Sequence, residues 1–312
     1  MLSSNTVFRS NLVLQGILIN SSRPGALASR AALRRFQSTA KAEVKALPSF
    51  SLQDKVCVVT GAARGLGNEF CRAFVQSGCN KLGIVDLRED QAQEAAKALI
   101  NDLETTGEIA PGSVDAFGYG CDVGSETSVK KVFQDVSDRW GRVDCVVASA
   151  GIVENYSAFD YPSDRVKRLY DINVHGAFFT AREAARIMTA QKSGSIVLVA
   201  SMSAHIVNIP QHQTPYNASK AAVKHMAASL AVEWAKEGVR VNTLSPGYML
   251  TALTKQVLSG DPELKKTWEA LTPMGRMGEP DDLKGAIVFL ASDASRFMTG
   301  ADLRVDGGYC LV

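Results

Sequence analysis

No run of eighteen apolar residues occurs anywhere in this 312-residue chain, so no segment is long enough to cross a bilayer as a helix. Histidine is scarce, with four in all, and no H-E-x-x-H pattern exists, which leaves a metal site without support. The six cysteines (Cys57, Cys71, Cys79, Cys121, Cys145 and Cys310) form no C-x-x-C pair. Cys57 and Cys145 fall inside apolar runs that read as buried strands. The cysteines are therefore expected as free thiols of a reducing compartment, not as disulfides or zinc ligands. Internal repeats and low-complexity tracts are also missing. Acidic residues are almost absent from the first 45 positions, where Arg9, Arg23, Arg30, Arg34, Arg35, Lys41 and Lys45 stand against Glu43 alone. The whole chain carries a formal net charge of only +2, so the remainder is net acidic and offers no general basic surface for nucleic acid.

What is present is a long alternation of short apolar runs and helical patterns, in a chain that is 46% hydrophobic. Runs near 55–60, 81–86, 114–121, 143–149, 195–201, 239–245 and 301–306 read as strands, each followed by a helical stretch. That order predicts an α/β fold: one doubly wound, seven-stranded parallel sheet of the Rossmann type, in a single domain. Residues 248–278, with Asp261-Pro262 and Pro273, break the alternation. A stretch that long inside a compact domain reads as a lid or binding loop.

The first strand runs into Thr60-Gly61-Ala62-Ala63-Arg64-Gly65-Leu66-Gly67 and then a helical pattern. A strand, a Gly-rich turn and a helix N-terminus make a pyrophosphate site, because free N–H groups and the helix dipole favour an anion. Asp86 ends the second strand, nineteen positions after Gly67, where an acid would bind the ribose hydroxyls of an adenosine. Its charge would repel a 2′-phosphate, so NAD is expected rather than NADP. Arg64 pulls the other way, since a guanidinium in this loop can pair with phosphate. Ala148-Ser149-Ala150-Gly151, Ser201 and Pro246-Gly247 all fall at carboxyl ends of later strands, where ligands of open α/β sheets sit.

Tyr216-Asn217-Ala218-Ser219-Lys220 places a phenol and an ammonium one helical turn apart on one face. Such an ammonium favours the phenolate and lowers the tyrosine pKa, which would let the pair exchange a proton with an alcohol or carbonyl oxygen.

Taken together, these residues resemble the short-chain dehydrogenase/reductase family from about Leu52 to Val312. Thr60 to Gly67 matches its cofactor loop, and Asp122-Val123 the pair that contacts adenine. Ala148 to Gly151 stands where the family has Asn-Asn-Ala-Gly, with Ser149 in place of the second Asn. Asn173, Ser201, Tyr216 and Lys220 match its catalytic tetrad, and Asp306-Gly307-Gly308 its C-terminal turn. Pro246-Gly247, Met249 and Thr251 match the segment that flanks the nicotinamide. The resemblance implies that Asn173, in the helical pattern from Asp164 to Thr189, kinks its helix and holds a water that leads to Lys220. Ser203 competes with Ser201 as the catalytic serine. It lies thirteen positions before Tyr216, the commoner family spacing, against fifteen for Ser201. Ser201 is preferred on the alignment of its strand.

The segment from Ser201 to Gln211 is similar to a fungal branch of polyol dehydrogenases and ketose reductases. The implied reaction is oxidation of a secondary alcohol to a ketone, with D-arabinitol to D-ribulose as the leading example. A 3-oxoacyl thioester or steroid reductase is the competing reading, and a non-catalytic structural or RNA-binding subunit is a remote one. Ser203, His205, Gln211 and Tyr248 are the expected substrate contacts, since a polyol needs donors and acceptors. The resemblance also implies a homotetramer or homodimer through the helices that carry Asn173 and Tyr216. The second of these offers Ala221, Ala222, Met226, Ala227, Leu230 and Trp234.

Residues 1–38, Arg- and Ser-rich and ending near Arg34-Arg35-Phe36-Gln37-Ser38, are expected as a mitochondrial presequence that directs the protein to the matrix. Residues 39–51 read as a linker and 52–312 as the NAD-binding domain.

Overall fold

The computed structural model describes residues 47–311, so the expected presequence and most of the expected linker lie outside the described residues. The fold is a seven-stranded, all-parallel sheet with helices on both faces, in the order β3-β2-β1-β4-β5-β6-β7. Its strands are β1 (Val56–Thr60), β2 (Lys81–Asp86), β3 (Asp115–Gly120), β4 (Cys145–Ala148), β5 (Gly194–Val199), β6 (Val239–Pro246) and β7 (Asp302–Val305). The central strands are buried on both faces, which is why they read as continuous apolar runs and not as alternating ones. Side chains still alternate between two cores. Cys57 and Val59 face one layer, Val56 and Val58 the other.

Helix α1 (Gly65–Gln76) lies on the first layer with α2 (Glu89–Thr105), and the late α9 (Lys284–Ala291) packs beside α1. Phe70 and Phe74 of α1 are fully buried there, one turn apart on its apolar face. On the opposite layer lies α3 (Glu126–Trp140). It begins at the Ser125 side chain, which accepts from the Ser128 N–H, and stops at Gly141, whose φ of +73° suits glycine. The turn Pro48–Phe50 precedes β1, and Phe50 packs on Phe289 of α9.

One helical run holds α4 (Ser163–Tyr170) and α5 (Gly176–Gln191), with a five-residue π-turn, Asp171–His175, between them. Asn173 sits inside that turn, the kind of local unwinding that recurs at functional sites. Helix α6 (Thr214–Trp234) carries Tyr216 and Lys220.

Segment 248–278, which reads as a lid or binding loop, is partly helical. It contains two short helices, α7 (Ala252–Ser259) and α8 (Pro262–Ala270), around a small core of Leu258, Trp268 and Met277. Asp261 caps α8 by accepting from the Leu264 N–H at 3.0 Å, with Pro262 at the first helical position. The Asp-Pro pair that reads as a loop marker is a helix start.

Candidate active site

The sheet order reverses between β1 and β4, which pair directly, Cys57 opposite Cys145. Chain segments leave those two strands in opposite directions, so a crevice opens beyond their carboxyl ends. The Gly-rich turn closes one side of it. Gly61 has φ +65°, and a Cβ there would stand 2.6 Å from the Ala150 Cα; a Cβ on Gly67 would meet the Gly61 carbonyl at 2.3 Å. Only glycine lets the turn fold back on itself and rest against the end of β4. The Asn68 side chain braces it by donating to the Ala62 carbonyl. Gly65 and Leu66 open α1, and no side chain caps that end. Its first N–H groups therefore remain available to an anion.

Asp86 faces this turn. One carboxylate oxygen accepts from the Ala63 N–H at 2.9 Å and the other from the Leu87 N–H at 2.8 Å. It does not cap α2, whose N-terminal boundary residue is Arg88. Arg64 is exposed and forms no ion pair among the described residues. Asp122 is exposed past β3 and accepts from the Gly124 N–H, while Val123 is buried against Gly176. Ser149 and Ala150 are half-buried, and the Ala150 N–H reaches the Thr60 hydroxyl at 3.4 Å.

Four side chains meet at the other side of the crevice. Lys220, 6% exposed, donates from Nζ to the Val199 carbonyl at 2.9 Å. A Cβ on Gly151 would sit 3.3 Å from the Asn173 Oδ1 and 3.4 Å from the Lys220 Nζ, so both groups border the same glycine. The buried Asn173 amide accepts from the Ile152 N–H and donates to the Ile152 carbonyl and to the Ser219 hydroxyl. At the π-turn this amide ties the helix to the strand-end loop. The Ser201 Oγ accepts from the Ser203 N–H and donates to the Ser203 Oγ, both at 3.1 Å. The two serines that compete in sequence are thus bonded neighbours. Of the two, Ser201 is the one whose side chain acts on the Tyr216 phenol.

The electrostatics differ from the sequence expectation at one point. Burial pushes the Tyr216 phenol above its ordinary value; Ser201 draws it down and Tyr248 adds a smaller push upward. The Lys220 ammonium donates to the Val199 carbonyl and stands 5.7 Å from the centre of the tyrosine ring. Burial alone brings Lys220 itself down to about 8.

Pro246 ends β6, and Gly247 after it is pressed against Asp306, where a Cβ would stand 2.7 Å from the Asp306 Cα. Met249 is buried against Gly278. Thr251 uses its hydroxyl on the Thr254 N–H at the start of α7. Tyr248 is stacked on Trp268 of α8 at 3.9 Å and meets Tyr309 edge-on. Its hydroxyl bonds the side chains of Asn208 and Gln211. Buried Gln213 links this wall back to the serines, donating to the Asn208 Oδ1 at 2.9 Å and to the Ser203 Oγ at 3.5 Å. Trp268 and Tyr309 escaped sequence reasoning, since no short-range pattern marks a contact made from a distant helix.

His205 does not join this wall. Its Nε2 lies 2.7 Å from Asp302 at the start of β7. Sequence distance hid the partner, ninety-seven positions away. On α6, Ala227 and Leu230 belong to the core, so the expected subunit surface is narrower than the sequence suggests. Between α5 and α6 a surface groove of about 270 Å³ is lined by Phe178, Arg182, Glu233 and Trp234 among others.

Comparison with known proteins agrees with this geometry. A family model described as "Enoyl-(Acyl carrier protein) reductase" matches residues 61–310. A D-arabinitol 2-dehydrogenase [ribulose-forming] of Candida tropicalis is 40% identical over 270 residues, covering 84% of this chain and 95% of the relative. A probable NADP-dependent mannitol dehydrogenase of Yarrowia lipolytica is 40% identical over 263 residues, covering 84% and 89%. A crystal structure of a short-chain type dehydrogenase/reductase from Mycobacterium marinum superposes with a TM-score of 0.75 at 37% identity, covering 84% of this chain and 97% of that one. Fold, crevice and relatives converge, and the chain belongs to the short-chain dehydrogenase/reductase family of oxidoreductases.

Proposed function

We propose that this protein is an NAD-dependent dehydrogenase that interconverts a secondary alcohol and a ketone, with a polyol and its ketose, D-arabinitol and D-ribulose foremost, as the substrate pair. The observation that carries the proposal is the meeting of Tyr216, Lys220, Ser201 and Asn173 at one mouth of the crevice, beside the polar wall of Tyr248, Asn208 and Gln211. Polyhydroxylated substrates need such a wall of donors and acceptors.

The turn fits a dinucleotide, since its two close-packed glycines leave a cradle that any side chain would fill. Gly61, Arg64, Gly65, Leu66 and Gly67 would hold the pyrophosphate and Asp86 the adenosine ribose. Asp122 and Val123 would border the adenine. Ser149, Ala150, Gly151, Tyr216 and Lys220 would line the second ribose, with Pro246, Gly247, Met249 and Thr251 along the nicotinamide. The cofactor supplies the hydride acceptor and, when oxidised, a positive ring.

The protein's part is proton handling and orientation. Tyr216, held protonated by burial, is ready to give its proton to a ketone oxygen; in the reverse direction the phenolate takes the alcohol proton. Ser201 orients the reacting oxygen and stabilises charge that develops on it. Lys220, an ammonium below about pH 8, supplies the positive charge near the second ribose. Asn173 holds the loop at Ile152 in place, and its Oδ1 lies beside Lys220 across Gly151.

NAD is proposed over NADP because the Asp86 carboxylate stands beside the cofactor turn. A panel of pentitols, hexitols, simple secondary alcohols and hydroxyacyl thioesters, with absorbance at 340 nm as the readout, tests the substrate class. Turnover confined to the thioesters would replace the polyol reading with the acyl one.

The α5–α6 groove is proposed as part of a subunit contact in a homotetramer or homodimer. Light scattering at micromolar concentration is expected to give two or four times the chain mass, and a monomer would refute it. Residues 1–38 are proposed to direct import into the mitochondrial matrix. Processing of the full chain by isolated mitochondria, lost on deletion of 1–38, is the expected outcome.

A further inference from the structure

Tyr216, Lys220 and Lys224 recur every four residues along α6 and so share one stripe of the helix. The chemistry proposed above uses the first two and leaves Lys224 without a task. Its Nζ lies 3.3 Å from the Nδ1 of His205, and the His205 Nε2 lies 2.7 Å from Oδ2 of Asp302. The other Asp302 oxygen accepts from the hydroxyls of Thr243 and Ser245, at 2.5 and 2.6 Å. The side chains of His205 and Asp302 are 19% and 12% exposed.

An ammonium can only donate and a carboxylate can only accept. An imidazole that bonds both accepts at Nδ1 and donates at Nε2. His205 therefore joins three elements at once: α6 through Lys224, β7 through Asp302, and β6 through the two hydroxyls on Asp302. It also closes the short turn that starts at Ser201. The Ser201 Oγ caps that turn by accepting from the Ser203 N–H, and the His205 N–H ends it on the Met202 carbonyl at 2.8 Å. The far end of the serine turn is thus clamped to the helix that carries Tyr216.

We infer that His205 is a positioning residue: through Lys224 and Asp302 it holds the Ser201 turn in register with Tyr216 on α6. This rests on the reading of Ser201 and Tyr216 as the reacting pair. Loss of the clamp frees the serine hydroxyl to drift, and a displacement near 1 Å is enough to cost about 10- to 100-fold in turnover.

The test uses the full chain with His205→Ala and His205→Gln. A glutamine amide reproduces the Nε2 donor to Asp302, and alanine does not. Two readouts are taken, amide hydrogen exchange at Ser203 and steady-state kinetics on a secondary alcohol that the wild type oxidises. In His205→Ala, Ser203 exchange should accelerate and kcat should fall about 10- to 100-fold, while KM for NAD stays within about twofold. His205→Gln should recover most of both losses. Unchanged Ser203 exchange in His205→Ala overturns the inference whatever the activity, and so does an unchanged kcat. A folded His205→Gln as impaired as His205→Ala also overturns it. If the wild type oxidises no secondary alcohol, the proposed function falls, and exchange at Ser203 still decides whether His205 holds the turn.

Discussion

Tyr216→Phe is expected to lower kcat by about 10²- to 10⁴-fold, the range for loss of a positioned acid–base group, with NAD affinity close to that of the wild type. The ring would remain in place on α6, since only the hydroxyl is removed. Its polar neighbour, the Ser201 hydroxyl, keeps its bonds to Ser203, so loss of the phenol hydroxyl leaves no buried partner unsatisfied. Stability should therefore change little while turnover collapses. Steady-state rates and isothermal titration with NAD on the same preparation separate the two. A variant that keeps more than a few per cent of the wild-type kcat, an order-of-magnitude bound, would remove Tyr216 from the chemistry.

The second large effect concerns cofactor choice. Asp86→Ser should move the ratio of kcat/KM for NAD to that for NADP by about 100-fold toward NADP, the scale of a charge repulsion removed. Two changes add. The carboxylate that would repel a 2′-phosphate is gone, and the exposed Arg64 in the same turn can meet that phosphate. NAD use should weaken as well, because the Ala63 N–H loses its charged acceptor. A wild type that prefers NADP, or a variant with an unchanged ratio, would reduce Asp86 to a brace for its turn.

How much of this could be read beforehand depended on the range of the interaction. The seven strands were legible because burial on both faces writes itself as uninterrupted apolar runs, and each observed strand falls within or beside its expected window. The Gly-rich turn was legible because strand, glycines and helix follow one another within a dozen residues. The helices inside 248–278 were not, because Asp261-Pro262 signals a turn and a helix start with the same letters. The π-turn around Asn173 depends on an amide bonded to Ile152, twenty-one positions away, and no local propensity records that. The bond from His205 to Asp302, ninety-seven positions away, was hidden for the same reason. The rise in the Tyr216 pKa was hidden too, since spacing along a helix gives proximity to Lys220 but not how deeply the phenol is buried.

The central claim is that a hydride leaves the secondary carbon of a polyol for NAD at this crevice. Incubation of the full chain with NAD and D-arabinitol deuterated at C2, followed by proton NMR of the reduced cofactor, tests it directly. Deuterium at C4 of the nicotinamide and a ketone at C2 are the expected result, with neither product formed by Tyr216→Phe. Reduced cofactor that carries no deuterium, or full transfer by the Tyr216→Phe variant, would contradict it.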